Sequence, residues 1–582
     1  MKEKTRNSGS SLMKSTIILV IASFAVKAIG AIFKIPLANL IGKEGMGLFG
    51  YAYQIYTFMF IIATAGFPIA VSKMVAESRA RGNLKDANRV FQTALLLLGF
   101  VGIIGSTVLF VFAKQFAQLL GSPDAYLGML AISPSIFFVS LVSAYRGFFQ
   151  GNQNMYPTAI SEITEAGAKL LIGFFAAKYV VDMTVNPELT VPIDFASKAI
   201  ASTKNVLQYS SAGAVLGVTS GTFLALVVIM IIYQFTRKKS PVLQNEYARS
   251  RKRIAKELIL IAIPITIGAS VSSLTGLIDL ATITRRLIVN PDVFTPYAHV
   301  FADGTPFAKD VLEHIPAYTA VELLEKKATA LWGMYNGFAI PMFNLPLTIV
   351  VALSMSVVPA IAGVMASERV KEARKMTQSV IRITLLFALP CALGMSVLSK
   401  PILGILYHDT DAYLVLQKLA IAIVSVSLVS VTNAMLQAYG RVYVPLVTML
   451  VGGVVKVLMN YFLIPVWGID VAPISTNVCY AIIMIMNLYY LAKHINLSFN
   501  IVTTFLSPVI SAVIMAVSAL FAYEFLEKII SGKLSVMLAI CAAAVVYLVL
   551  IFITRAITRE DLEMLPMGKK IADKLVGKRA EI

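Results

Sequence analysis

The sequence predicts an all-α polytopic membrane protein with 14 transmembrane helices, arranged as two pseudo-symmetric six-helix lobes plus two C-terminal helices. Three observations carry this expectation. Of 582 residues, 58% are apolar and 14% charged, and mean hydropathy is +0.79, against roughly 45–50% apolar and 25% charged in soluble domains. Fourteen apolar stretches approach the ~20 residues that a bilayer core requires. The segment PIAVSKMVAE at 68–77 returns as PAIAGVMASE at 359–368, with Pro, Met and Glu in identical register half a chain apart. Duplication in membrane carriers places the substrate site between related halves, so the repeat points to transport.

The stretches fall at 15–38, 46–71, 90–113, 125–149, 158–180, 211–236, 257–281, 328–364, 377–398, 412–438, 443–465, 472–492, 502–524 and 534–554. The first is too long for a signal-peptide core and has no small-residue cleavage site after it, so it is expected to remain as a span. The eighth contains Pro341, Pro346 and Pro359 and should be kinked or broken. Lysine and arginine concentrate in the segments that face inward when the N-terminus is cytoplasmic, and an even number of spans returns the C-terminus to the same side. The net charge of +19 is therefore a matter of topology. No soluble domain gathers that charge, which excludes a nucleic-acid partner; the richest basic run, Arg237 to Lys256, is a loop between spans.

Order is kept between the halves. Lys85–Arg89 matches Lys371–Lys375, and the block Gln150–Lys169 matches Gln437–Lys456 with one-residue slips. Six spans thus map onto six in the same orientation. The divisions are 1–245, an N-lobe; 246–495, a C-lobe; and 496–582, two helices with a basic cytoplasmic tail. Two outward loops, before spans six and eight, are longer than the others. Pro291, Pro296, Pro306 and Pro316 make the second irregular, and a short helix near 317–327 is expected there.

Ionisable groups inside spans are costly and mark functional sites by default. Lys27 and Lys34 lie two turns apart on one face of the first helix. That stripe suits a phosphate or pyrophosphate, and it equally allows snorkelling or pairing with acids on other helices. Glu162, Glu165 and Lys169 follow one another on the fifth helix. The spacing allows a Glu165–Lys169 pair, and leaves open a carboxylate that takes up a proton or holds a coupling cation. Lys456 stands at the repeat-related position without neighbouring acids. Asp279, Arg285 and Arg286 end the seventh helix as substrate contacts or an interfacial cluster. Asn336, Asn344, Asn433 and Asn460 either bridge helices or meet substrate. Cys391, Cys479 and Cys541 and the four histidines form no ligand cluster, so no metal or cofactor is expected. The Asp409–Asp411 DxD lies in a short loop with no fold around it, and no Walker A, GxSxG or HExxH motif occurs. The sequence does not read as an enzyme.

The segments KAIG and FKIPLANLIG in helix one, GFPIAVSKMVAE, YRGFFQGNQNMYPTAISEI, ITRRL, NGFAIPMFNLPLT and KVLMNYFLIP together resemble the lipid flippases of the multidrug/oligosaccharidyl-lipid/polysaccharide exporter superfamily, in particular the MurJ and stage V sporulation protein B group. The resemblance covers nearly the whole chain. It implies alternating access by two lobes, a cationic cavity for a lipid-linked pyrophosphate headgroup, a groove at helices thirteen and fourteen for the polyprenyl tail, and residence in the bacterial cytoplasmic membrane. Lys27 and Lys34 match positions of cavity arginines. Segments 46–65 and 333–346 lack the charged side chains of the peptidoglycan branch, so the sporulation and polysaccharide branch fits better. The implied partners are a lipid-linked oligosaccharide, membrane lipids and a coupling ion, H+ or Na+, for a monomeric carrier. Two other readings are a cation-coupled MATE-like drug or metabolite exporter, kept open by Glu162, Glu165 and Asp279, and a non-transporting scaffold for wall-synthesis enzymes.

Overall fold

A computed structural model describes residues 2–64, 66–185, 206–237, 248–302, 320–366, 369–441, 443–495, 501–530 and 532–557. Most of the loop before span six, part of the second long outward loop including Pro306 and Pro316, and the basic tail lie outside the described residues. Among those described, the chain is helical without strands. Nine helical segments are long and apolar enough to cross a membrane, or up to ten if one bent pair forms a single crossing. Two of them, Ala25–Ala80 and Tyr443–Ile495, run for 56 and 53 residues. At 1.5 Å per residue each is far longer than a ~30 Å hydrocarbon core needs.

The first of these contains a reversal. Helix α1 (Lys2–Thr64) is broken at Gly42, with φ 65 and ψ −169, a conformation that glycine adopts without a Cβ penalty. Lys34 and Tyr53 would lie about 28 Å apart along a straight helix. The Lys34 Nζ is instead 5.5 Å from the Tyr53 ring centroid, and Phe33 meets Phe49 at 6.0 Å. The chain therefore turns back at Gly42, as the polar gap between the first two expected spans requires. A second break at Gly66 separates α2 (Phe67–Ala80), started by Pro68. A Cβ on Gly66 would sit 2.2 Å from the Ala262 carbonyl, so the break is also a contact point.

Next come α3 (Leu84–Val111), α4 (Ala113–Leu119), α5 (Tyr126–Gly151), α6 (Tyr156–Val185), α7 (Val206–Arg237) and α8 (Arg251–Ile288). Small residues set the closest pairing, which is the membrane rule because lipid supplies no hydrophobic drive between helices. Gly213, Gly217 and Gly221 recur every fourth residue on α7 and lie against the α6 backbone. A Cβ on Gly217 would be 2.3 Å from the Gly173 Cα, and one on Gly221 would be 2.6 Å from the Glu165 carbonyl. This packing fixes which face of α6 remains for its charged side chains.

After the short α9 (Ala298–Ala302), α10 (Ala320–Gly333) passes through a π-helical turn, 334–339, into α11 (Ile340–Ala366). The helix expected near 317–327 is thus the beginning of the eighth span, since a polar helix outside the bilayer has no reason to stop at the boundary. The expected break is the π turn. Pro341 has no N–H for the Gly337 carbonyl and its ring crowds that group, so the ladder widens just before it. The same device, 502–506, precedes Pro508.

The remaining helices are α12 (Val370–Val397), α13 (Ser399–Tyr407), α14 (Tyr413–Ala420), α15 (Ala422–Ala438), α16 (Tyr443–Trp467), α17 (Val471–Ile495), α18 (Ser507–Ile529) and α19 (Lys533–Ile553). By packing, the chain forms two compact units, Met1–Gly337 with Ile464–Ile469, and Phe338–Leu463 with Asp470–Ile582. Helix α8 packs in the first unit against α1, α2, α3 and α10. The divisions 1–245, 246–495 and 496–582 follow the repeat, a different criterion from packing. In the second unit, Asn487 donates to Thr432 Oγ1 (3.1 Å) and Asn433 Oδ1 (2.8 Å) and accepts from Thr448 (2.9 Å), while Ser475 donates to Asn460 at 2.6 Å. Asn433 and Asn460 therefore bridge helices. Asp409 accepts from the Asp411 backbone N–H at 2.8 Å, so this DxD closes a local turn.

Candidate substrate site in the first unit

The reversal at Gly42 lays the Lys34 side of α1 against its own continuation, and α6 supplies a second cation to the same place. The Lys169 Nζ donates to the Tyr53 hydroxyl at 3.0 Å and lies 4.1 Å from the centre of that ring and 5.5 Å from that of Phe33. Lys34 approaches the same Tyr53 ring. Phe49 stacks on Tyr53 at 5.4 Å, fixing the ring that both lysines share. Among the described residues neither lysine has a carboxylate partner. Each cation–π contact contributes about 0.5–2 kcal/mol. Two ammonium groups around one ring repel, and a divalent or trivalent anion between them would relieve that repulsion.

The expected Glu165–Lys169 pair does not form. Glu165 accepts from Arg146 Nη2 on α5 at 2.9 Å, and Arg146 Nε donates to Ser161 Oγ at 3.0 Å. Arg146 is 8% exposed. Its fixed charge holds the carboxylate that helical spacing would have offered to Lys169, leaving the lysine free for Tyr53. Arg146 and Tyr53 are the residues that sequence reasoning missed. The available signal was a lone arginine inside the fourth apolar stretch, at YRGFFQG. Nearby, the Tyr56 hydroxyl is buried without a hydrogen-bond partner among the described residues, with its ring 6.0 Å from that of Tyr53.

The other expected site residues lie elsewhere. Lys27 is exposed on α1 and Glu162 half-buried on α6. Asp279 accepts from Tyr335 Oη at 3.1 Å and is 4% exposed. Asn336 follows in the π turn, buried against Gly50, where a Cβ would come 2.4 Å from its Nδ2. Arg285 is exposed and Arg286 half-buried at the end of α8. Lys456 is 1% exposed within the second unit. No group of three or more metal-ligating side chains occurs among the described residues.

A family model described as "Polysaccharide biosynthesis protein" matches residues 12–365, more than half of the chain. The chain belongs to that family. A second model, "Lipid II flippase MurJ", matches residues 326–556. Two relatives from Bacillus subtilis (strain 168) are similar over most of their length. The Lipid II flippase MurJ is 24% identical over 87% of each chain, and the Stage V sporulation protein B is 21% identical over 95% of this chain and 98% of the relative. The fold is similar to that of a Lipid II flippase MurJ in an inward closed conformation, with TM-score 0.62, 14% identity, and 92% of this chain and 98% of that one covered. It is also similar to an inward-facing MATE family transporter of the MOP superfamily, with TM-score 0.56, 12% identity, and coverage of 82% and 94%. The protein is a multi-pass helical membrane protein with this transporter fold.

Proposed function

We propose that this member of the polysaccharide biosynthesis family is a flippase of the cytoplasmic membrane that moves an undecaprenyl-pyrophosphate-linked saccharide between leaflets by alternating access, without catalysing a chemical step. One observation carries the reading: Lys34 and Lys169 arrive from different helices at the same ring, that of Tyr53, while Arg146 occupies the neighbouring acid. A binding place with two cations and an aromatic floor suits a pyrophosphate joined to an apolar tail. Relatives named as a lipid II flippase and a sporulation protein support this cargo class. Net movement draws on an H+ or Na+ gradient, and the carrier acts as a monomer.

The exporter reading rests on the MATE likeness in fold. Purified protein in lipid vesicles separates the two. With an imposed H+ or Na+ gradient, a fluorescent lipid-linked pyrophosphate saccharide is expected to change leaflets, with no uptake of a lipid-free cationic drug. Drug uptake without lipid movement would establish the exporter.

A further inference from the structure

A network of charged groups lies away from the lysine site, where the first repeat meets the beginning of the second. The α2–α3 turn is formed at Gly82, with φ 76, and Asn83 caps α3 by accepting from the Asp86 N–H at 2.8 Å. Asp86 is 5% exposed. It accepts from Ser78 Oγ (2.7 Å), the Arg249 backbone N–H (2.9 Å), Arg249 Nε (3.0 Å) and Arg249 Nη2 (2.7 Å). Arg249 Nη1 donates to Glu257 at 2.6 Å, and Arg253 joins the same carboxylate at 3.0 Å. Arg89 Nη1 reaches the carbonyls of Ala248 and Arg249 at 3.1 and 3.3 Å. Arg249 directly precedes Ser250, the N-cap of α8. Its hydrogen bonds to Asp86 hold the guanidinium above its ordinary value, against the opposing effect of burial.

The second copy of the repeat supplies a comparison. The counterpart of Asp86 in the matched segments is Glu372, which pairs with Arg369 only three residues away, both side chains being 57% exposed. An acid at this place is therefore satisfied locally in one copy and reaches across to the next repeat in the other. The beginning of a helix needs only its cap, and Ser250 already provides one for α8.

We infer that Asp86, Arg249 and Glu257 form a cytoplasmic latch that holds α8, the opening helix of the second repeat, against the first, and that releases when the cytoplasmic side opens. The inference rests on alternating access and is independent of the cargo. Losing one charge-assisted hydrogen bond shifts the closed-to-open ratio by about tenfold or more.

The reporter is Ala262→Cys, because Ala262 is fully buried on α8 beside Gly66. Cys391 and Cys541 are replaced by serine, and buried Cys479 is kept as an internal control. The full chain in inside-out vesicles is treated with a membrane-impermeant maleimide. Asp86→Asn is expected to raise labelling at position 262 about tenfold while Cys479 stays protected. Glu257→Gln, at a carboxylate 32% exposed and so less costly to the fold, is expected to raise it several-fold. An unchanged rate at position 262 in Glu257→Gln, or a parallel rise at Cys479 in both variants, overturns the latch.

Discussion

Replacing both Lys34 and Lys169 by glutamine is expected to abolish complementation of a flippase-depleted strain while the protein reaches the membrane in normal amount. Each lysine offers one charge-assisted contact to a pyrophosphate, worth about 1.5–3 kcal/mol, so each single variant should bind the lipid-linked substrate roughly 10- to 150-fold more weakly. Glutamine is about one bond shorter but keeps a hydrogen-bonding polar end and removes the charge. Neither lysine is tied to a carboxylate among the described residues, so the loss strands no buried acid and the fold should survive. Tyr53→Phe is the milder companion. It keeps the ring that Lys34 and Lys169 approach and removes the hydroxyl to which Lys169 donates. Full complementation by the double glutamine variant would remove both residues from the transport account.

The largest effect on stability is expected from Arg146→Met. The side chains of Arg146 and Glu165 are 10% and 21% exposed, and removing one member of a buried pair leaves an uncompensated charge that costs about 3–5 kcal/mol. Thermal unfolding of the purified protein, followed by size exclusion in detergent, should show a large drop in midpoint for this variant. Arg146→Met with Glu165→Met removes both charges and should recover most of that loss, because apolar replacement of a whole buried pair is often neutral. If the single and double variants unfold alike, Arg146 is not the partner on which Glu165 depends. The experiment also tests the electrostatics of the site, since an unpaired Glu165 would be free to turn to Lys169 one turn further along α6.

Much of the architecture is legible in the sequence because bilayer physics is written locally. Apolar runs, the gap at 39–45 that becomes the Gly42 reversal, and Pro341 behind the π turn each act over a few residues. Termination is less legible: α10, described from Ala320, continues into the eighth span, since nothing local distinguishes the polar start of a span from a separate loop helix. The site is half legible. Lys34 and Lys169 are visible as cations inside apolar spans, but the i, i+4 rule names Glu165 as the partner of Lys169 because it sees one helix only. The glycines of α7 set the rotation of α6, and α5 then brings Arg146 to Glu165 and α1 brings Tyr53 to Lys169. Partner choice is a tertiary property, and the periodicity of one helix does not contain it. The packing division at Gly337 is hidden for the same reason, because the repeat records ancestry and the packing of α8 records contact.

Native mass spectrometry of the protein purified from its membrane identifies the lipid that it carries. The wild-type chain is expected to carry a bound species with the mass of a polyprenyl-pyrophosphate-linked saccharide, and the Lys34→Gln/Lys169→Gln variant to have lost it while retaining ordinary phospholipids. Equal occupancy by that species in wild type and variant, or a wild-type chain that carries only phospholipid, would contradict the account.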